Sequence, residues 1–383
     1  MADRTKIEWT DATWNPITGC SLISEGCRNC YAAELAASRL KNTPERFGLA
    51  KRNAAGVAQF TGKVRFNEKW LDQPLRWRKR RRIFVCAHAD LFHENVPDAW
   101  IDRIFAVMAL CPQHTFQVLT KRPERMRAYL SCMGSRLRID AQRKAVQEGR
   151  GVNIYAFYDV VGSPPGETRG EWAANWPLPN LWAGVSIEDQ PTADTRIPYL
   201  LQTPAAVRFV SAEPLLGPLS LRNILKYNAQ GRPWIDALRG LVTRGQYLAR
   251  SPSECSFNTS TRIPGELPGL DWVIVGGESG RRARPMHPAW VRRIRDDCAV
   301  AGVPFLFKQW GAWLPRSHAE HLGDEINDLP LGEFHTPDGE WMDACMCSEG
   351  AADMPMFQVG KGAAGRLLDG VAHDAFPATG RAA

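Results

Sequence analysis

The sequence has no uninterrupted apolar run long enough to cross a bilayer. Its first residues, MADRTKIEWTD, are polar and lack the apolar centre of a secretory signal. We therefore expect a cytoplasmic protein with no membrane among its partners. There is no internal repeat and no long low-complexity tract. Nor is there a large excess of one charge: the net charge of +7 over 383 residues allows a polyanionic partner without requiring one. What remains is ordinary globular composition, 44% hydrophobic and 23% charged. The length suits one large α/β barrel with insertions, or two domains.

Short β-branched and aromatic runs ending in polar or glycine-rich turns predict buried strands at Ile83–Ala87, Thr115–Leu119, Leu181–Val185, Val207–Val210, Trp272–Val275 and Pro304–Phe307. Helical spacing recurs between several of them, over Ala99–Leu110 and His287–Ala301, and helical residues also occupy Ala32–Leu40. Alternating strands and helices imply a mostly parallel sheet with helices outside it. Each strand runs into polar residues: His88, Asp90 and His93-Glu94; Thr120-Lys121-Arg122; Ser186 and Glu188; Glu213; Gly276-Gly277-Glu278; Lys308. Carboxyl ends of parallel strands build active sites, so six such turns in succession suggest one ring of site residues.

Three stretches fit this rhythm poorly. Segments at about 131–179 and 226–269 are rich in turn residues and predict surface insertions that cover a substrate. The core then runs over 1–315, and 316–383 forms a C-terminal appendage docking on it. The appendage carries the pair Cys345 and Cys347, a weak signal to which we assign no role. A basic run, Arg76 to Arg82 with Trp77 inside it, suits phosphate contact with Trp77 stacking on a base, or a solvated face before a strand.

Ten cysteines in a chain without an export signal point to metal or chemistry rather than a disulfide framework. Three lie close together: six residues separate Cys20 from Cys27, and two separate Cys27 from Cys30. Gly19 and Gly26 let such a loop fold tightly enough to converge three sulfurs. Three readings follow. A four-iron cluster on three cysteines leaves one iron open for a small molecule. A structural zinc takes the three thiolates plus a fourth ligand, for which Cys86, His88 and Cys111 are available. Or the thiols are simply buried.

Several segments together carry a resemblance: WNPITGCSLISEGCRNCY (Trp14–Tyr31), DLFHE, LTKRP, GVSIE, SAEPLLGP, WVIVGGESG, ARPMHPAW, FKQWGAW and VGKGAAGRLLD. The chain resembles the phage-associated three-cysteine-motif proteins, which look like divergent members of the radical S-adenosylmethionine superfamily. The resemblance implies a partial parallel (β/α) barrel of radical SAM type, with the cluster loop after its first strand. It implies a [4Fe-4S] cluster on Cys20, Cys27 and Cys30, with S-adenosylmethionine across the strand ends. The superfamily spacing is CxxxCxxC with an aromatic before the last cysteine. Here the first gap is longer, Asn29 takes the aromatic place and Tyr31 follows.

On this reading Tyr31, Asp90, Ser186, Glu188, Glu213, Gly276, Gly277 and Glu278 meet the cofactor, and Glu213 and Lys308 are the catalytic candidates. The expected activity is a radical enzyme acting on a nucleic-acid base or modified nucleotide, as in phage DNA hypermodification or repair. An external electron donor and a protein partner complete the expectation. The alternative is a non-catalytic nucleic-acid-binding protein with a structural zinc or cluster.

Overall fold

The computed structural model describes residues 5–147, 176–225, 234–244, 261–263, 267–319, 334–335, 341–342 and 355–378. Seven strands form one sheet, in which their order is their order in the chain. They are β1 (Ala12–Trp14), β2 (Arg82–Val85), β3 (Thr115–Thr120), β4 (Leu181–Ile187), β5 (Val207–Ala212), β6 (Trp272–Gly276) and β7 (Phe305–Gln309). The registered pairs β1–β2, β2–β3, β3–β4, β5–β6 and β6–β7 are parallel. Parallel neighbours need crossovers, and among the described residues helices supply them everywhere except between β5 and β6, where short antiparallel strands intervene. The helices are α1 (Tyr31–Ala37), α2 (Asp98–Ala109), α3 (Pro123–Ser131), α4 (Met133–Gln147), α5 (Gln190–Leu201) and α6 (Pro288–Ala301). Every residue of β4 and β6 is buried, as in a parallel sheet covered on both faces. The fold is mixed α/β, and its sequential parallel order is consistent with a partial (β/α) barrel. Among the described residues no helix is long and apolar enough to cross a membrane.

The chain divides into two compact units, Met1–Val185 with Thr203–Val207, and Ser186–Gln202 with Arg208–Ala383. In the first, Trp14 packs on Phe116 with ring centroids 5.8 Å apart, and both are fully buried. Burying each such ring stabilises the fold by about 1.5–3 kcal/mol. Helix α4 occupies the start of the first expected insertion. Its Arg138 Nε reaches Asp102 of α2 at 2.7 Å, and Tyr129 of α3 donates to the same carboxylate at 2.5 Å. Residues 148–175 of that insertion lie outside the described residues.

In the second unit Phe209 packs on Trp272 at 5.7 Å. Helix α5 begins on a reciprocal cap. The Thr192 amide donates to Asp189 Oδ1 (2.9 Å), and Asp189 N donates to Thr192 Oγ1 (3.1 Å). Helix α6 ends at Gly302, whose φ of 71° is the left-handed turn glycine tolerates best. The described part of the second expected insertion contributes strands to a four-stranded antiparallel sheet over Ile224–Leu225, Trp234–Asp236, Leu241–Arg244 and Thr261–Ile263. The last described residues pack on this unit. Strand Met356–Gln358 pairs with Trp313–Pro315, Trp310 Nε1 donates to Leu367 O (2.8 Å), and Asp369 pairs with Arg292 and Arg295 of α6. Cys345 and Cys347 lie outside the described residues.

Candidate metal and cofactor site

In the first unit the cysteine loop follows β1 and leads into α1. Gly19 opens it with φ of 97°, and a Cβ there would overlap the carbonyl oxygen of Lys63. Only glycine fits such a position without rearrangement. The Gly19 amide donates to His88 O at 3.1 Å, which fixes the loop beside the segment leaving β2. A short helical turn over Glu25–Cys27 follows, and Cys30 sits at the entrance to α1. Cys20, Cys27 and Cys30 are all free and half-buried.

The segment after β2 and the turn after β3 close on this loop. Asp90, 5% exposed, accepts from Thr120 Oγ1 (2.7 Å), Phe92 N (3.0 Å), Lys121 N (3.1 Å) and Arg122 Nη1 (3.1 Å). Arg122 also donates to Ser21 Oγ (2.6 Å) and Glu94 Oε2 (2.6 Å), and its Nη1 stands 3.8 Å from Cys20 Sγ. The Ser21 hydroxyl is saturated. It accepts from Arg122 and from His93 Nε2 (2.9 Å) and donates to Glu94 Oε1 (3.0 Å). His93 Nδ1 accepts from Asn95 N (3.1 Å), which puts the proton of the buried ring on Nε2. Lys121 Nζ reaches Ser24 Oγ at 3.4 Å, and Ser24 Oγ stands 3.9 Å from Cys27 Sγ. Tyr31, half exposed, donates to Ala87 O at 2.6 Å and presents its ring to His88.

The electrostatics follow from this burial. Burial pushes the Cys20 thiol up to about 12, Asp90 adds to the rise, and Arg122 opposes it. Burial raises the Cys30 thiol, against the amides of Ala33 and Ala32. Burial would raise Glu94, but the Arg122 hydrogen bond and charge, a backbone amide and the Ser21 hydroxyl together outweigh it and hold the carboxyl at about 2. Burial, then Arg46 and Arg39, pushes His88 down to about 4. The ring is therefore neutral near pH 7, with Nδ1 accepting from Arg46 Nη2 at 2.8 Å.

Among the described residues, no three His, Cys, Asp or Glu side chains are drawn up as a ready metal-binding group. The donor chemistry nonetheless suits a soft metal: three unoxidised thiols on one tight loop, with cationic side chains beside them. Of the fourth ligands weighed for zinc, His88 is engaged by Arg46. Cys86 is buried in a left-handed turn with φ of 57°, and Cys111 lies before β3, at that strand's amino end.

The second unit gathers the remaining sequence-derived candidates. Lys308 Nζ donates to Glu213 Oε1 (2.7 Å), Ser211 Oγ to Glu213 Oε2 (3.4 Å), and Ser186 Oγ to Glu213 O (3.2 Å). A Cβ on Gly276 would come within 2.8 Å of Glu213 Oε1, so this glycine admits the carboxylate. Glu188 is fully buried, with both oxygens on Arg196 at 3.0 and 3.3 Å. Glu278 accepts from Arg284 N, Nε and Nη2 at 2.9, 2.9 and 2.7 Å. Gly277 lies where a Cβ would overlap the carbonyl oxygen of Trp310.

Sequence reasoning placed Lys121 and Arg122 in one strand-end turn without assigning Arg122 a role, and it missed Ser21 and Ser24. The available signal was position, since Arg122 ends a strand-end turn. In the basic run Trp77 is buried, with Arg81 stacked over it at 4.8 Å. That removes the ring from stacking on a base. Arg76 pairs with Asp72 and Arg82 with Asp11, while Arg78, Lys79 and Arg80 are exposed. The run precedes β2, at the amino end of that strand, whereas the cysteine loop meets the segment leaving the other end.

No curated protein and no solved structure matches the chain. One family model does, over residues 4–377, and the chain belongs to that family, described as protein of unknown function (DUF5131).

Proposed function

We propose that this protein is a radical S-adenosylmethionine enzyme of the cytoplasm, built on a partial (β/α) barrel of that superfamily's type. Cys20, Cys27 and Cys30 would hold a [4Fe-4S] cluster with one iron left for S-adenosylmethionine. The observation that carries the reading is the loop itself: three free, half-buried thiols, with Arg122, held by Asp90, beside Cys20. A structural zinc needs a fourth ligand, and a cluster that binds a small molecule needs only these three. Bound there, such a cluster would supply an electron for reductive cleavage of S-adenosylmethionine.

The chain's own residues prepare the place. Gly19 lets the loop turn under the backbone of Lys63. Asp90, held by four donors, fixes the turn that carries Lys121 and Arg122. Tyr31, anchored through its hydroxyl, offers a half-exposed ring beside Cys30 on which an adenine can stack. In the second unit, Glu213 with Lys308 is the pair suited to moving a proton, because each is partly exposed. Glu188 and Glu278 are spent on their arginines. The resemblance to phage-associated proteins supports a nucleic-acid base or modified nucleotide as substrate, with an external electron donor. The buried Trp77 gives that substrate class no help.

The test is anaerobic purification and reconstitution with iron and sulfide. We expect about four irons per chain. An electron paramagnetic resonance signal should shift on adding S-adenosylmethionine, and deoxyadenosine should form. Cys27→Ala should abolish all three. One zinc per chain, without iron or deoxyadenosine, would overturn the proposal in favour of a non-catalytic nucleic-acid-binding protein with a structural zinc.

A further inference from the structure

The turn after β3 has a role that its sequence does not announce. Two consecutive cationic residues leave the strand end and reach two different arms of the cysteine loop. Arg122 goes to the Cys20–Ser21 arm, with Nη1 at 3.8 Å from Cys20 Sγ and Nη2 at 2.6 Å from Ser21 Oγ. Lys121 goes to the Ser24–Cys27 arm, with Nζ at 3.4 Å from Ser24 Oγ, itself 3.9 Å from Cys27 Sγ. The Arg122 side chain is 9% exposed, and Asp90 and Glu94 clamp it on two other edges. Its orientation is thus set by the protein before any metal arrives.

We propose that Lys121 and Arg122 are the counter-charge and positioning residues of the cysteine loop, with Arg122 directing an N–H at the Cys20 sulfur. The inference rests on the reading that the three cysteines bind a metal, and it holds for a cluster or for zinc. Metal binding turns three thiols into thiolates. The neighbouring Asp90 and Glu94 carry charge of the same sign, so the loop needs cations facing it. A hydrogen bond from a guanidinium withdraws charge from a ligand sulfur, which strengthens retention of the metal and raises the reduction potential of a cluster. Arg122 can do this while bonded to two carboxylates because its planar fork presents five N–H donors. A lysine at the same place keeps the charge and loses the fork.

The experiment compares full-length wild type with Arg122→Gln, Arg122→Lys and Lys121→Gln. Zinc affinity is measured by chelator competition. Iron content and reduction potential are measured after reconstitution, and the thermal midpoint on metal-free protein. Arg122→Gln should lower zinc affinity about 10- to 100-fold and make the potential more negative. Arg122→Lys should recover part of both, and Lys121→Gln should show a smaller loss of the same sign. Should Arg122→Gln fail to fold, the other two variants decide alone. Wild type that loads normally, with variants that differ only in metal-free stability, would overturn the inference and leave the proposed function standing. Wild type that takes up neither iron and sulfide nor zinc would overturn the cysteine-site reading and this inference together.

Discussion

The two units carry the same sequence signature, a polar residue just past each parallel strand, and they put it to different uses. In the first unit the strand-end residues converge on a loop that carries three unoxidised thiols, with a clamped guanidinium beside Cys20. In the second unit two of the carboxylates are closed on nearby partners, Glu188 on Arg196 and Glu278 on Arg284, while Glu213 meets Lys308 across 95 residues. A strand-end acid is therefore a poor indicator of a ligand site until its partner is known. The partners differ in kind as well. Arg196 lies eight residues beyond Glu188, on the helix that the same strand feeds, and Arg284 lies six beyond Glu278. These are local clasps. Arg122 meets Asp90 and Ser21 across separations of 32 and 101 residues, and such a contact gathers segments into a site.

The largest effect that would break this comparison is at Glu188. Its carboxylate is 1% exposed and the Arg196 side chain 7%. Removing one member of such a pair strands a buried charge and costs about 3–5 kcal/mol. We expect Glu188→Ala to lose stability of that order in chemical denaturation while keeping its uptake of iron and sulfide. Unchanged stability with lost binding of S-adenosylmethionine would make Glu188 a ligand residue and erase the distinction. A smaller loss is expected for Gly277→Ala, where the added methyl meets the Trp310 carbonyl. Backbone at that contact has to shift, at about 1–3 kcal/mol, and again iron uptake should be unaffected. Thermal denaturation with iron analysis checks both outcomes.

Much of the sheet is legible because buried parallel strands leave a simple mark. The apolar runs from Thr115, Leu181, Val207 and Trp272 begin where strands β3, β4, β5 and β6 begin. The strands run one or two residues further, because Thr120, Ser186 and Ser211 stay within them although they are polar. Edge strand β1 has only three residues and no apolar run, so periodicity could not find it. Helix α4 was hidden by its composition: seven of MGSRLRIDAQRKAVQ are Arg, Lys, Gln or Asp. It is held through Ile139 and Ala145, which are buried, and through Arg138 on Asp102. The cysteine loop was legible from spacing and glycine alone. The position of Arg122 at a strand end was legible but its inward orientation was not, because nothing local separates a guanidinium that points inward from the exposed ones at Arg78 and Arg80. That choice is made by Asp90 and Ser21, far away in sequence.

The finest contrast concerns how open each clasp is to water. Glu94 is 57% exposed on the Arg122 it holds, whereas the Glu278 side chain is 6% exposed on Arg284. The folded chain holds Glu94 at about 2, below the ordinary value of 4.5 for its carboxyl. Its contribution to stability is therefore complete above the unfolded value. It fades as pH falls from there through about 2, where the folded carboxylate also takes a proton. Solvent screening keeps that contribution below about 1 kcal/mol. Glu94→Gln should differ from wild type by that amount near pH 7, and the difference should shrink progressively below about pH 4. It should also shrink in about 1 M salt, where the Debye length falls to about 3 Å. Glu278→Gln should resist the same salt, because its pair is shielded from the solvent ions. Denaturation of the two variants at low and high salt checks this directly. Equal salt sensitivity would mean that exposure of the carboxylate does not distinguish the first unit's clasp from the second's.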